Sequence, residues 1–121
     1  MSAFGWIAVA VLGSAGSIAR FLLDGAVSSR SAGSFPLGTL AVNASGALVL
    51  GLLTGLALSG EALTLAGSAT IGSYTTFSTW MLETHRLGED GRLQAGALNV
   101  FVSIAVGIGA ALLGRTIGAA L

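Results

Sequence analysis

Apolar residues fall into four long runs, at about 3–23, 37–58, 62–83 and 95–115, separated by short polar stretches. None of the runs alternates with the two-residue period of a membrane barrel strand, and each is long enough for a helix that crosses a bilayer. The first run ends on Arg20 and Asp24, and a polar loop over 25–34 follows. Pro36 opens the second run, where its missing amide costs nothing in the first turn of a helix. The connection Ser59-Gly60-Glu61 is so short that the third run must return antiparallel to the second. A second polar loop, 84–94, gathers His85, Arg86, Glu89, Asp90 and Arg92. The pattern predicts an all-α integral membrane protein, one domain over 1–121, with four transmembrane helices and no internal repeat. Met1 to Val11 lacks a positive leader region, so the N-terminus is expected to belong to the first span.

The third run does not read as a smooth membrane helix. At about 22 residues it spans about 33 Å. Its middle holds Gly72-Ser73-Tyr74-Thr75-Thr76-Phe77-Ser78-Thr79-Trp80. A segment in lipid must make its backbone hydrogen bonds internally, and glycine beside clustered hydroxyls invites a break that frees carbonyls and amides. The third helix is therefore expected to break at the bilayer midplane, around Gly72 to Thr76.

Composition sharpens this picture. Hydrophobic residues make up 54% of the 121 and charged residues only 8%, which excludes an ordinary soluble domain. Most of the 19 glycines lie within the apolar runs, where they allow close helix approach; Gly51 and Gly55 have small-xxx-small spacing. No basic run suggests nucleic acid. With no cysteine and a single loop histidine, no constellation for enzyme chemistry is visible. Nor does any span carry a mid-membrane carboxylate of the kind a proton-coupled antiporter uses. Four thin helices enclose little room, so a conduit of this size is expected to form at a subunit contact. The competing reading is an accessory subunit of a larger complex.

Each polar position within the spans has two readings. Asn43 could donate to an anion or make an interhelical hydrogen bond. Asn99, Ser103 and Gly107 share a helix face, which is either a polar track or a packing face. Arg20 is an interfacial anchor or a source of positive potential at an anion vestibule. The spacing of Glu83 and Arg86 suggests a surface pair. Phe77 and Trp80, one turn apart, either pack or turn their electropositive ring edges beside Ser/Thr donors. That second lining suits a small, strongly hydrated anion that a full cation would hold too long.

These motifs resemble the Fluc (CrcB-type) fluoride channels. Gly13 to Phe21 resembles the family's first-helix GxxGAxxRY pattern, and Pro36 to Asn43 its PxGTLxVN signature. Thr75 to Trp80, followed by Glu83, resembles TTFSTFxxE; Asn99 to Gly114 fits the fourth helix more loosely. The resemblance implies a fluoride channel, working by passive electrodiffusion, built as an antiparallel dual-topology dimer with two pores. It implies one structural sodium ion held by backbone carbonyls of Gly72 and Thr75 from both subunits. It also implies that Asn43, Thr76, Phe77, Thr79, Trp80 and Ser103 line the pores, with Arg20 at a vestibule. Three positions depart from the pattern: Trp80 replaces a phenylalanine, Gly72-Ser73 a glycine pair, and Arg20-Phe21 an Arg-Tyr pair.

Charge placement bears on the partner. The loops after the first and third spans carry Arg20, Arg30, Arg86 and Arg92, against Arg115 alone on the other side. Positive residues collect in the cytoplasm, so this bias suggests a fixed orientation with an oppositely biased homologous partner; the competing reading is a homodimer. A non-conducting partner subunit and a small multidrug antiporter are the alternative functions. The antiporter should carry a glutamate in the first span, and Ala3 to Leu23 has none.

Overall fold

The computed structural model describes all residues, 1–121, and contains helices but no strands. Helix α1 (Ala3–Ser29) starts where the Ser2 hydroxyl accepts the Gly5 amide at 3.1 Å. It continues well past its apolar stretch, into the region expected to be loop. The reason lies in side chains that donate back to its last turn. The hydroxyls of Ser29 and Ser31 reach the carbonyls of Ala26 and Val27, and the Arg30 guanidinium also reaches Ala26. Carbonyls of the last turn, where a helix end runs short of amide donors, thereby gain side-chain partners.

Helix α2 (Leu37–Gly55) follows Pro36 and closes earlier than its apolar run, because Ala57 turns left-handed at φ 58°. Short helical pieces then succeed one another: α3 (Gly60–Leu63), a π-helical segment (Thr64–Ile71) and α4 (Gly72–Tyr74). The Thr70 hydroxyl donates to the Leu65 carbonyl at 2.7 Å, a five-residue reach that matches the wide turn. After a non-helical stretch, α5 (Ser78–Glu89) carries the chain through most of the second expected loop, and Gly91 at φ 75° turns it into α6 (Leu93–Ala120). Charged residues ride on α5 easily, since His85 and Glu89 pair one turn apart. The Glu83–Arg86 pair suggested by spacing does not form.

Glycines set the packing. Gly51 and Gly55 of α2 face Gly114 and Gly118 of α6. A methyl on any of the four would run into a backbone carbonyl of the opposite helix: Ala111 or Arg115 on α6, Leu48 or Leu52 on α2. Gly16 likewise sets α1 against the Thr70 carbonyl of the π-helical segment. With hydrogen bonds already closed inside each helix, this proximity gains dispersion contacts over the full seam.

The outside of the molecule is apolar. Only 14 of 121 residues are buried, while Phe4, Trp6, Ile7, Phe21 and Leu22 all project outward. Such a surface would aggregate in water and is at home in lipid. Helices α1, α2 and α6 are each long and apolar enough to cross a membrane. At 27 and 28 residues, α1 and α6 exceed an upright crossing, so they tilt or protrude.

Candidate ion pathway

Between α4 and α5 the helix is interrupted. Tyr74 is its last helical residue; Thr75 is extended, at φ −80° and ψ 161°. Gly72 itself keeps helical angles, φ −60° and ψ −34°, so the interruption begins three residues later than glycine propensity suggests.

Asn43 explains the position. From α2 its side-chain Nδ2 donates to the Thr76 carbonyl at 2.9 Å, and its Oδ1 accepts the Thr76 amide at 2.8 Å. The side-chain amide thus pairs with the Thr76 peptide as a neighbouring backbone would. Thr76 then uses its hydroxyl to accept the Thr79 amide at 3.2 Å, which caps the first turn of α5. Two diversions follow. In a continuous helix the Thr76 amide would serve the Gly72 carbonyl, and the Thr79 amide would serve the Thr75 carbonyl. Both amides point elsewhere, and both carbonyls are left without their helical donors.

Gly72 and Thr75, the residues with the freed carbonyls, are part of the lining of an open cleft of about 650 Å³. Asn43, Gly72, Thr75, Thr76, Phe77 and Trp80 all line it. Room for the extended Thr75 comes from Gly46, where a methyl would collide with Thr75 Cγ2. Behind it, the Tyr74 hydroxyl lies 2.8 Å from Ser45 Oγ. Ser45 Oγ also lies within hydrogen-bond reach of the carbonyls of Ala41 and Val42.

The two rings of the site differ. Phe77 is 71% exposed and makes no polar contact of its own, whereas Trp80 is half-buried. They meet edge to face, centroids 5.6 Å apart and planes at 82°. Asn99, only 1% exposed, joins α6 to α5 by donating to the Thr84 hydroxyl at 2.8 Å. Ser103 donates to Asn99 Oδ1 at 3.4 Å, which places its proton within the protein.

Several expected site residues are not in the cleft. Thr79, Ser103 and Arg20 do not line it. Arg20 does not end the first helix, which runs nine residues further to Ser29. Gly107, on the face of Asn99 and Ser103, looks onto open space. The spacing alone left Asn43 and Asn99 between two readings; both make hydrogen bonds to the third run, Asn43 to Thr76 in the interruption and Asn99 to α5. Sequence reasoning passed over Ser45, Gly46 and Thr84, although Thr84 stands one turn after Trp80 and its hydroxyl donates to the Trp80 carbonyl at 2.9 Å. It also passed over Thr39. That hydroxyl and Glu83 Oε1 are buried with no hydrogen-bond partner, and the Thr39 side chain lies alongside the Glu83 carboxyl.

Polar atoms gathered at a helix interruption, inside a shell of apolar helices, define a small multi-pass membrane protein with an internal polar site. Comparison with known sequences says which one. Residues 7–115 match the family described as "CrcB-like protein, Camphor Resistance (CrcB)", and the chain belongs to that family. Among its relatives is the fluoride-specific ion channel FluC 2 of Mycolicibacterium paratuberculosis, 57% identical over 110 residues, covering 91% of this chain and 90% of that one. The fluoride-specific ion channel FluC 2 of Mycobacterium tuberculosis is 54% identical over 112 residues, covering 93% and 89%. FluC 1 of Symbiobacterium thermophilum, of the same description, is 40% identical over 119 residues, covering 93% and 96%.

Proposed function

We propose that this chain is a fluoride channel of the cell membrane, lowering cytoplasmic fluoride by passive electrodiffusion. The observation that carries the reading is the interruption at Thr75 to Phe77, clasped by Asn43 and flanked by an exposed aromatic ring. The names of the relatives point the same way. Fluoride is small and tightly hydrated, so a path for it must replace water's hydrogen bonds without binding the ion strongly. The Thr76 hydroxyl, the free Nδ2 hydrogen of Asn43 and the positive ring edges of Phe77 and Trp80, residues that all line the cleft, supply weak donors of that kind. Arg20 adds positive potential at the entrance. This is a conduit rather than an enzyme.

The working unit in this reading is an antiparallel, dual-topology dimer with each third span broken near the midplane. The open cleft supports it, because one subunit leaves open the groove that Gly72 and Thr75 line. The Gly72 and Thr75 carbonyls also suit a structural sodium ion. They are hard oxygen donors released from helical bonding, and no group of three or more His, Cys, Asp or Glu side chains offers an alternative site for a metal. When bound, sodium would supply a buried positive charge that draws carbonyls of two subunits together.

A second reading follows from the arginine bias: one fixed orientation beside an oppositely biased homologue, this chain conducting poorly or not at all alone. A C-terminal reporter active only in the cytoplasm separates the two. Half-maximal or greater signal from the chain expressed alone supports dual insertion, and near-zero signal supports the fixed pair.

The aromatic lining is tested by Phe77→Ile, which keeps bulk and removes the electropositive edge. Fluoride flux should fall about tenfold or more, equivalent to at least ~1.4 kcal/mol in the barrier, with the dimer intact by size-exclusion chromatography. Normal flux would remove the ring from the mechanism.

A further inference from the structure

Trp80 makes a bond that a phenylalanine at its position has no atom to make. Its indole Nε1 donates to the Asn99 backbone carbonyl at 3.1 Å. The contact is returned: Asn99 Nδ2 reaches the Trp80 carbonyl at 3.5 Å as well as the Thr84 hydroxyl. Each residue's side chain therefore bonds the other's backbone, across α5 and α6. An indole has one polar hydrogen and no acceptor. With that hydrogen on Asn99, only the carbon rim and faces of the ring remain for the cleft it lines.

We propose that the Trp80–Asn99 clasp makes Trp80 a rate-setting residue of the pathway, fixing a large ring in the passage and withholding its N–H from the anion. The inference rests on the fluoride-channel reading. Both halves have a physical consequence. An N–H donor facing a bare anion in a dry site would form a charge-assisted hydrogen bond, about twice as strong as a neutral one, and would retain the ion. Bonding that hydrogen to a carbonyl turns a trap into a lining. The same bond stops the ring from swinging aside, so throughput is lower than a smaller, untethered ring would allow. Phe77, exposed and without a polar tether, is the movable member of the edge-to-face pair.

Nuclear magnetic resonance of the full chain in lipid nanodiscs, with ¹⁵N-labelled indole, tests the clasp. The only other tryptophan, Trp6, is exposed and serves as an internal reference. The Trp80 Nε1–H signal should exchange slowly with D₂O. It should also stay in place when sodium fluoride replaces sodium chloride at constant ionic strength. A saturable fluoride-dependent shift of that signal, or exchange as fast as that of Trp6, would overturn the proposal. Trp80→Phe tests the rate: liposome fluoride efflux should rise about threefold or more. Flux equal to or below that of the parent would overturn it, and if the variant does not fold the resonance result decides. If the parent chain conducts no fluoride while its indole signal is protected, the clasp stands and the channel reading fails instead.

Discussion

Asn43→Leu is expected to abolish both sodium retention and fluoride flux. Leucine matches asparagine in shape but removes both bonds to Thr76. The Thr76 amide and carbonyl would then lose these partners, a cost of about 1–3 kcal/mol for each group left unsatisfied. The nearest remedy is local: the Thr76 amide returns to the Gly72 carbonyl, and the helix closes over the interruption. That withdraws one of the two carbonyls assigned to sodium and turns Phe77 away from the cleft. Asn43→Asp keeps the acceptor for the Thr76 amide and loses the donor, so it should retain part of the function. Thermal stability in sodium against an organic-cation buffer, together with efflux on a fluoride electrode, reads both effects. Full flux from Asn43→Leu would mean that the interruption does not depend on the clasp.

The second large effect lies away from the pathway. Gly114→Ala places a methyl against the Leu48 carbonyl, within the seam where Gly114 and Gly118 meet Gly51 and Gly55. Overpacking a tight contact typically costs about 1–3 kcal/mol, and a backbone carbonyl yields less readily than a flexible side chain. The variant should lose several degrees of melting temperature or fail to reach the membrane folded. Gly109→Ala is the matched control, because a methyl there meets nothing within 4 Å. Equal melting temperatures for the two variants would remove the glycine seam as a source of stability.

How much of this could be read from the chain depends on where each cause resides. Apolar runs located α1, α2 and α6, since length and hydrophobicity are local properties. The α2 half of the glycine seam was visible in the spacing of Gly51 and Gly55. Its complement, Gly114 and Gly118, has the same spacing but could not be matched to it without knowing which helices touch. Helix ends were read less well. Ser29, Arg30 and Ser31 look like a polar loop, yet their side chains satisfy the last carbonyls of α1. The charged stretch after Glu83 likewise continues as helix to Glu89.

In the site the same distinction holds. Clustered glycine and hydroxyls signalled a weak helix in the third run, and propensity pointed to Gly72. The exact residue is chosen by Asn43, 33 positions earlier in the sequence, and no local signal carries such a choice. Asn43 itself shows why a polar residue in a span resists a single reading. Its hydrogen bonds to the third run, the ordinary outcome, are what open the interruption on which the proposed pathway depends. Trp80 is similar: its departure from the family pattern was plain in the sequence, whereas its partner, a backbone carbonyl on α6, has no side-chain signature.

Fluoride efflux from liposomes containing this chain alone tests the central claim most directly. With potassium fluoride inside and valinomycin added to carry the counter-charge, external fluoride should rise rapidly, while chloride-loaded vesicles release none. Efflux at the rate of protein-free vesicles, from a preparation that is folded and dimeric, would contradict the account.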